Sequence, residues 1–145
     1  METSGDDYNV YIPIVNAFER LGRNESARRV RQRLTSALEQ QLELVPEDVR
    51  ARILLANTHA FFGKEDDAVR QLQTAVALKP GDSGVLYNAA CTYGILQRKT
   101  EALEMMKKAK EVGYANWDWA ARDPDLACLY DDPEFQRLCQ SGTGD

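Results

Sequence analysis

A repeat of 34 positions constrains the fold of this chain more than any other feature. In two adjacent stretches, small or apolar residues recur at this distance: Leu55 and Ala89, Ala56 and Ala90, Ala68 and Ala102, and Ala75 and Ala109. Apolar residues within each stretch follow helical spacing, and Gly63 divides the first stretch into two helices. Neither helix of such a pair buries its apolar face alone, so the copies must stack on one another. The period therefore predicts an all-α array of helix pairs.

The residues at this period match the tetratricopeptide pattern, W-x2-L-G-x2-Y followed by A-x3-F and Pro. The two copies read Arg52-x2-Leu55-Ala56-x2-His59, Ala68-x3-Leu72 and Pro80, and then Leu86-x2-Ala89-Ala90-x2-Tyr93, Ala102-x3-Met106 and Tyr114. The chain therefore resembles a tetratricopeptide-repeat protein. The resemblance implies a right-handed α-α superhelix of three antiparallel helix pairs with C-terminal capping helices. It also implies that the first helix of each pair lines a concave groove for a peptide or partner segment.

A third copy lies upstream and has a longer second helix. Tyr11-x2-Ile14-Val15-x2-Phe18 fits the first-helix pattern, and Ala27 stands where Ala68 stands in the next copy. The expected Pro comes seven residues late, at Pro46, which is close to two helical turns. We therefore expect a second helix over about residues 24–45. Arg31 occupies the place of the second aromatic of the family pattern.

These observations predict six segments. They are a disordered N-terminus at 1–7, a first repeat at 8–48, a second at 49–82, a third at 83–116, capping helices at 117–140 and a disordered tail at 141–145. Two Asp-Pro pairs, at 123–124 and 132–133, are typical of helix starts. The ending resembles those that follow tetratricopeptide arrays in bacterial signalling proteins, which suggests the C-terminal piece of a larger protein.

Composition and charge exclude several classes of function. The chain is 43% hydrophobic and 28% charged, which is typical of a globular protein, and its net charge of −5 argues against a nucleic-acid or membrane-surface binder. No apolar run is long enough to span a bilayer. The acidic first residues do not form a signal-peptide pattern, and three cysteines without a CxxC pair suit a reducing compartment. We therefore expect a cytoplasmic protein.

Catalytic and metal-binding signatures are absent from the sequence. The chain has a single histidine, His59, and no HExxH, GxSxG or GxxxxGK[ST] string. His59 falls at an inward position of a first helix and is expected to pack within its repeat. Cys128 and Cys139 lie among apolar residues without zinc-ligand spacing. We therefore expect no enzyme activity, no cofactor and no metal site.

The predicted function is recognition of a protein or peptide in the concave groove. Helical spacing on the first helices, taken with the resemblance, places eight candidate residues there: Asn16, Arg50, Ile53, Asn57, Phe61, Tyr87, Asn88 and Cys91. The amides offer donors and an acceptor to a peptide backbone, and Arg50 suits an anionic group. A solvated role for the asparagines remains an equal alternative. A second candidate surface is the basic patch Arg28, Arg29 and Arg33, for which a solvated helix face is the competing interpretation.

Two other roles remain open at this stage. The N-terminal face of Val10, Tyr11 and Ile14 has no preceding repeat to cover it. It would serve self-association, or contact with an adjoining domain of a larger protein. The second is an enzyme that uses Cys91 as a nucleophile, which requires a thiol of lowered pKa. The identity of the partner and the oligomeric state do not follow from the sequence.

Overall fold

The computed structural model describes residues 7–143, and within them the chain forms helices and connecting turns without a strand. Eight α-helices follow in chain order: α1 (Tyr11–Arg20), α2 (Asn24–Leu44), α3 (Val49–Phe61), α4 (Glu65–Leu78), α5 (Ser83–Ile95), α6 (Lys99–Glu111), α7 (Trp117–Ala120) and α8 (Pro133–Thr143). Two 3-10 helices complete the fold, Tyr8–Val10 before α1 and Pro124–Leu129 between α7 and α8. The prediction of an all-α fold is confirmed.

The first six α-helices form three antiparallel pairs that build a right-handed superhelix. The two helices of each pair pack along their length: α1 with α2, α3 with α4, and α5 with α6. The lengthened second helix is present, because α2 has 21 residues whereas α4 has 14. The core runs through the second and third pairs, where small residues allow close helix approach. Its fully covered members include Ala56, Leu72, Ala90 and Met106.

Local chemistry explains where the repeats begin and end. The side chain of Asp48 accepts a hydrogen bond from the Ala51 amide at the start of α3, and Asp82 caps α5 in the same way. Gly63 follows α3 with a φ of 75°, a left-handed conformation that costs a glycine little. Gln97 occupies the same turn after α5 with a φ of 62°. The helix-ending turn is therefore kept in the third repeat despite the missing glycine.

The C-terminal segment closes the array at α5. The 3-10 helix Pro124–Leu129 packs on the face of α5 that a following repeat would occupy. Gly94 permits this contact, since a Cβ there would lie 2.2 Å from the carbonyl oxygen of Asp125. Leu126, Leu129 and Phe135 of the C-terminal segment are buried. The expected capping helices are thus present at the C-terminal end.

The described residues extend into both terminal segments that were expected to be disordered. Asp7 is well placed, because its carboxylate accepts a hydrogen bond from the Asn9 amide and starts the first 3-10 helix. The hydroxyl of buried Tyr8 donates to Asp48 at 3.3 Å, which fixes this segment to the second repeat. At the other end, α8 continues to Thr143, past the expected limit at position 140. The remaining terminal positions, 1–6 and 144–145, lie outside the described residues.

Candidate partner-binding surface

An open cleft separates α1 from α3. Whereas α3 packs directly against α5, α1 packs on α2 and makes almost no contact with α3. The resulting space, the α1–α3 cleft, has a volume of about 390 Å3. Residues from α1, α2, α3, the end of α5 and the C-terminal 3-10 helix line it: Ile12, Val15, Asn16, Arg31, Leu34, Leu54, Asn57, Thr58, Phe61, Ile95 and Asp125. Its walls are mainly apolar, and its polar groups lie at a few defined points.

Arg31 extends from α2 between the two walls of the cleft. Its guanidinium forms an ion pair with Glu19 of α1, and its central carbon lies 4.0 Å from the ring centroid of Phe61 on α3. The equivalent positions of the second and third repeats carry Leu72 and Met106, both fully buried. A charged side chain is costly to enclose between helices, whereas the apolar side chains of the other two repeats are enclosed there. The Nε of Arg31 is buried without a hydrogen-bond partner among the described residues.

Two predicted groove asparagines do line this cleft. Asn16 lies on its rim and is exposed, while Asn57 is half-buried and accepts a hydrogen bond from the Thr92 hydroxyl at 3.3 Å. Phe61, also predicted for the groove, is 43% exposed on the same wall. The structure therefore brings Asn16, Asn57 and Phe61 together around one apolar space. Amide groups beside exposed apolar surface suit a peptide, which presents both a backbone and side chains.

A second depression follows between α3 and α5. This α3–α5 groove has a volume of about 470 Å3 and contains the predicted residues Arg50, Ile53, Asn57 and Asn88. Arg50 is already engaged, because it donates to the Asn9 side chain at 2.7 Å. Arg50 therefore anchors the N-terminal segment, in addition to facing the groove. Asn57 lines both depressions and joins them into one surface.

The predicted position in an open groove is wrong for Cys91, which is buried, whereas Tyr87 is half-buried. Cys91 is only 6% exposed, and its Sγ lies 3.6 Å from Oδ2 of Asp123. The Tyr87 hydroxyl donates to the same carboxylate oxygen, and its ring stacks on Tyr114 with centroids 4.7 Å apart. The cause is the C-terminal segment, which covers α5 where a following repeat would pack. Both side chains belong to that internal contact.

The chemistry around Cys91 differs from that of an activated thiol. Burial, followed by the nearby Asp123 carboxylate, raises the pKa of the Cys91 thiol far above its usual range. A nucleophilic cysteine needs the opposite shift. Ligand atoms of Cys91, Asp123 and Asp125 lie within 4.8 Å of one another, which resembles a partial metal site. However, Asp123 already accepts hydrogen bonds from Tyr87 and from the Asp125 amide, so these groups serve to join the C-terminal segment to α5.

The predicted basic patch is divided between two faces of α2. The Arg28 guanidinium lies 4.8 Å from the ring centroid of Phe62, beside the second repeat. Arg29 and Arg33 instead line a depression formed with Phe18 of α1. The three residues therefore do not form one continuous surface, since neighbouring positions on a helix point in different directions.

His59 is buried, in agreement with its expected inward position. It is 7% exposed, and burial lowers the pKa of its imidazole below the usual value. It lies on the far side of α3 from the α1–α3 cleft, in a depression with Glu39, Lys64 and Asp67. Its role is therefore packing within the second repeat.

Comparisons with known proteins agree with an architecture of repeated helix pairs. A family model described as tetratricopeptide repeat matches residues 83–112, which contain α5 and α6. Residues 83–112 therefore match one tetratricopeptide repeat, and the resemblance expected from the sequence is confirmed. Proteins built from these repeats are protein–protein interaction modules, and their fold is typically a non-catalytic scaffold.

Solved structures of MamA show the same fold. MamA AMB-1 is 20% identical with a TM-score of 0.53, and the match covers 96% of this chain and 75% of that chain. MamA MSR-1 is 19% identical with a TM-score of 0.55 and respective coverages of 94% and 77%. The MamA RS-1 ArsTM double mutant is 17% identical with a TM-score of 0.52, and the match covers 99% of this chain and 100% of that chain. No curated protein sequence matches the chain significantly.

None of the helices among residues 7–143 combines the length and the apolar character needed to cross a membrane.

The sequence reasoning missed the α1–α3 cleft itself. The available signal was Arg31, a charged residue at a position that is apolar in the other two repeats. Ile95 reaches the cleft from the third repeat, and Asp125 reaches it from the C-terminal segment. Their contribution depends on the stacking angle of the helices, which no local pattern reveals.

Proposed function

We propose that this protein binds a peptide or partner segment in the α1–α3 cleft. The observation that carries this proposal is the unfilled apolar space between α1 and α3, bordered by the amides of Asn16 and Asn57. Ile95 and Phe61 leave 39% and 43% of their surface exposed beside it. Covering these side chains would contribute roughly 25 cal/mol per Å2 of apolar area removed from water.

The amide pair gives the cleft its expected mode of recognition. An apolar side chain of the partner would enter between Leu54 and Ile95, and the side-chain amide of Asn57 would hydrogen-bond the partner backbone. Backbone groups are present in every peptide, so this contact holds the chain without reading its sequence. Selectivity would come from the size of the apolar side chain and from the charges of Arg31 and Asp125 at the border.

A peptide library displayed on phage, selected against the full chain, tests this function. Selected peptides are then titrated against Ile95→Glu, which places a charge in the cleft, and against Leu78→Glu. Leu78 is a matched control, since it is 41% exposed and lies outside the cleft. We expect Ile95→Glu to weaken binding at least tenfold and Leu78→Glu to leave it unchanged. Equal binding by both variants would place the partner site elsewhere.

Self-association is a second candidate function, and one observation favours it. Val10 is 55% exposed and Ile14 39%, and they lie one helical turn apart at the start of α1. The alternative is that Val10 and Ile14 are isolated exposed apolar side chains without a partner-binding role, which are normal on a protein surface. Light scattering over a range of concentrations, repeated with Val10→Ser combined with Ile14→Ser, separates these outcomes. A strict monomer at high concentration would exclude self-association through this face.

A further inference from the structure

The arginine-rich start of α2 serves two different surfaces. Arg31 points toward the α1–α3 cleft, where it pairs with Glu19. Arg29 and Arg33 lie one helical turn apart on another face of α2, beside Phe18 of α1. The two faces are chemically distinct, because one arginine is neutralised within the fold whereas the other two face outward.

A depression accompanies the outward pair. We call it the outer α1–α2 groove, with a volume of about 680 Å3. Its lining residues are Phe18, Ser26, Arg29, Val30, Gln32, Arg33 and Ser36. None of them lines the α1–α3 cleft or the α3–α5 groove. Phe18 and Val30 supply half-buried apolar surface, and the serine hydroxyls lie one turn before Arg29 and about one turn after Arg33.

The charge in this groove is not balanced within the fold. Among residues 7–143, no ion pair joins Arg29 or Arg33 to an acidic side chain. The Arg23 guanidinium lies 5.8 Å from the ring centroid of Phe18 and adds a third positive charge. Glu25, one turn before Arg29, is the nearest acidic residue along this face of α2. The protein as a whole carries −5, so this groove is a local exception to its net charge.

We propose that the outer α1–α2 groove binds an acidic peptide segment of a partner protein, with carboxylates on Arg29 and Arg33 and an apolar side chain on Phe18. Guanidinium groups bind carboxylates in a paired, planar geometry. Two of them one turn apart match carboxylates spaced along a helical or extended segment. The apolar floor distinguishes a peptide from a simple anion, because it requires an apolar group between the charges. This surface is separate from the proposed cleft and does not depend on it.

Fluorescence anisotropy with a defined probe tests the proposal on the full chain. The probe is a fluorescein-labelled peptide of four Glu-Leu-Glu units, and its control has four Gln-Leu-Gln units. We expect the acidic peptide to bind and the amide peptide to bind at least tenfold more weakly. Binding should also weaken when salt rises from about 50 mM to about 300 mM, since exposed charges are then screened.

Charge reversal then locates the site. Arg29→Glu combined with Arg33→Glu should weaken binding of the acidic peptide at least tenfold. Lys99→Glu combined with Lys108→Glu is a matched control, because both lysines are exposed on α6 and the net charge changes equally. Asn57→Ala, in the α1–α3 cleft, should leave this probe unaffected. Circular dichroism confirms that each variant is folded.

Several outcomes would overturn the proposal. The first is that the acidic peptide does not bind. The second is that the lysine control variant loses as much affinity for it as the arginine variant. The third is that the amide peptide binds as tightly as the acidic peptide. Two further probes are tested in parallel. One is a vesicle that contains phosphatidylserine, and the other is a free single-stranded oligonucleotide. If either binds through Arg29 and Arg33 while the acidic peptide does not, the groove recognises phosphate groups and the peptide proposal is wrong.

Discussion

The first and third repeats share one pattern but differ in how their first helices are covered. In the third repeat, α5 lies between α3 and the C-terminal 3-10 helix, with Gly94 in close contact with Asp125. In the first repeat, α1 stands apart from α3, and Arg31 spans the space between them. The equivalent residue of the third repeat, Met106, is fully buried.

This contrast shows how one residue type changes the role of a repeat. Leu72 and Met106 fill the interior of their helix pairs, which favours tight stacking. An arginine at the same place must keep its charge near a partner or water. The array therefore has a closed end, where the C-terminal segment covers α5, and an open end with the proposed binding cleft. Variants that exchange these properties test the comparison.

The largest effect is expected at the closed end, from Gly94→Ala. The added Cβ would lie 2.2 Å from a backbone oxygen of Asp125, so the C-terminal segment would have to move away from α5. We expect a loss of about 3 kcal/mol in the free energy of unfolding, at the upper range for overpacking. Urea denaturation followed by circular dichroism measures it.

Gly81→Ala is the matched control for this variant. Gly81 has no neighbour within 4 Å of an added Cβ and lies in the turn before α5. The urea concentration at the midpoint of unfolding should stay close to that of the wild type for Gly81→Ala. If Gly94→Ala unfolds at the same urea concentration as this control, the close contact at the C-terminal end contributes little.

A smaller effect of opposite sign is expected at the open end, from Arg31→Met. The change removes a buried Nε that has no hydrogen-bond partner in the described part of the chain, and it leaves Glu19 able to meet water. We expect a gain of about 1 kcal/mol in stability, because an unsatisfied buried donor is lost. Peptides selected for the cleft should bind at least tenfold more weakly as α1 moves toward α3.

The reciprocal change, Leu72→Arg, is the control for this interpretation. It introduces a charge at a fully buried position of the second repeat and should be strongly destabilising. If Arg31→Met is also destabilising, the arginine supports the first repeat through Phe61 and Glu19 instead of holding it open.

The smallest effect concerns pH and distinguishes the second repeat from the third. His59 and Tyr93 occupy equivalent buried positions. Burial lowers the pKa of His59 in the folded state, so the unfolded chain binds the proton more readily. Its contribution to stability is therefore complete above the unfolded pKa of ~6.5 and is lost progressively as the pH falls from there through the lower pKa of the folded state.

The measurement compares the wild type with His59→Tyr, which copies the third repeat. Urea midpoints are recorded between about pH 7.5 and about pH 5. The difference between the two proteins should change over this range, while carboxylates common to both cancel. A constant difference would show that His59 does not titrate differently in the two states.

Local patterns predicted most of the fold because each helix carries its own boundary signals. Asp48 and Asp82 cap helices as their positions suggest, and Gly63 ends one. The lengthened α2 followed from the late Pro46. The site was predicted less well. Asn16, Asn57 and Phe61 line one cleft. Cys91 has the same helical position as Asn57 but is buried by residues over thirty positions away.

The sequence by itself determined that this protein is a stack of three helix pairs, since the 34-residue period and the apolar spacing recur within the chain. Only the tertiary structure decided which first helix stays accessible. That outcome depends on contacts between residues distant in sequence, such as Gly94 with Asp125 and Arg31 with Phe61. Periodicity specifies which face of a helix is apolar, but the packing of other segments specifies whether that face is covered.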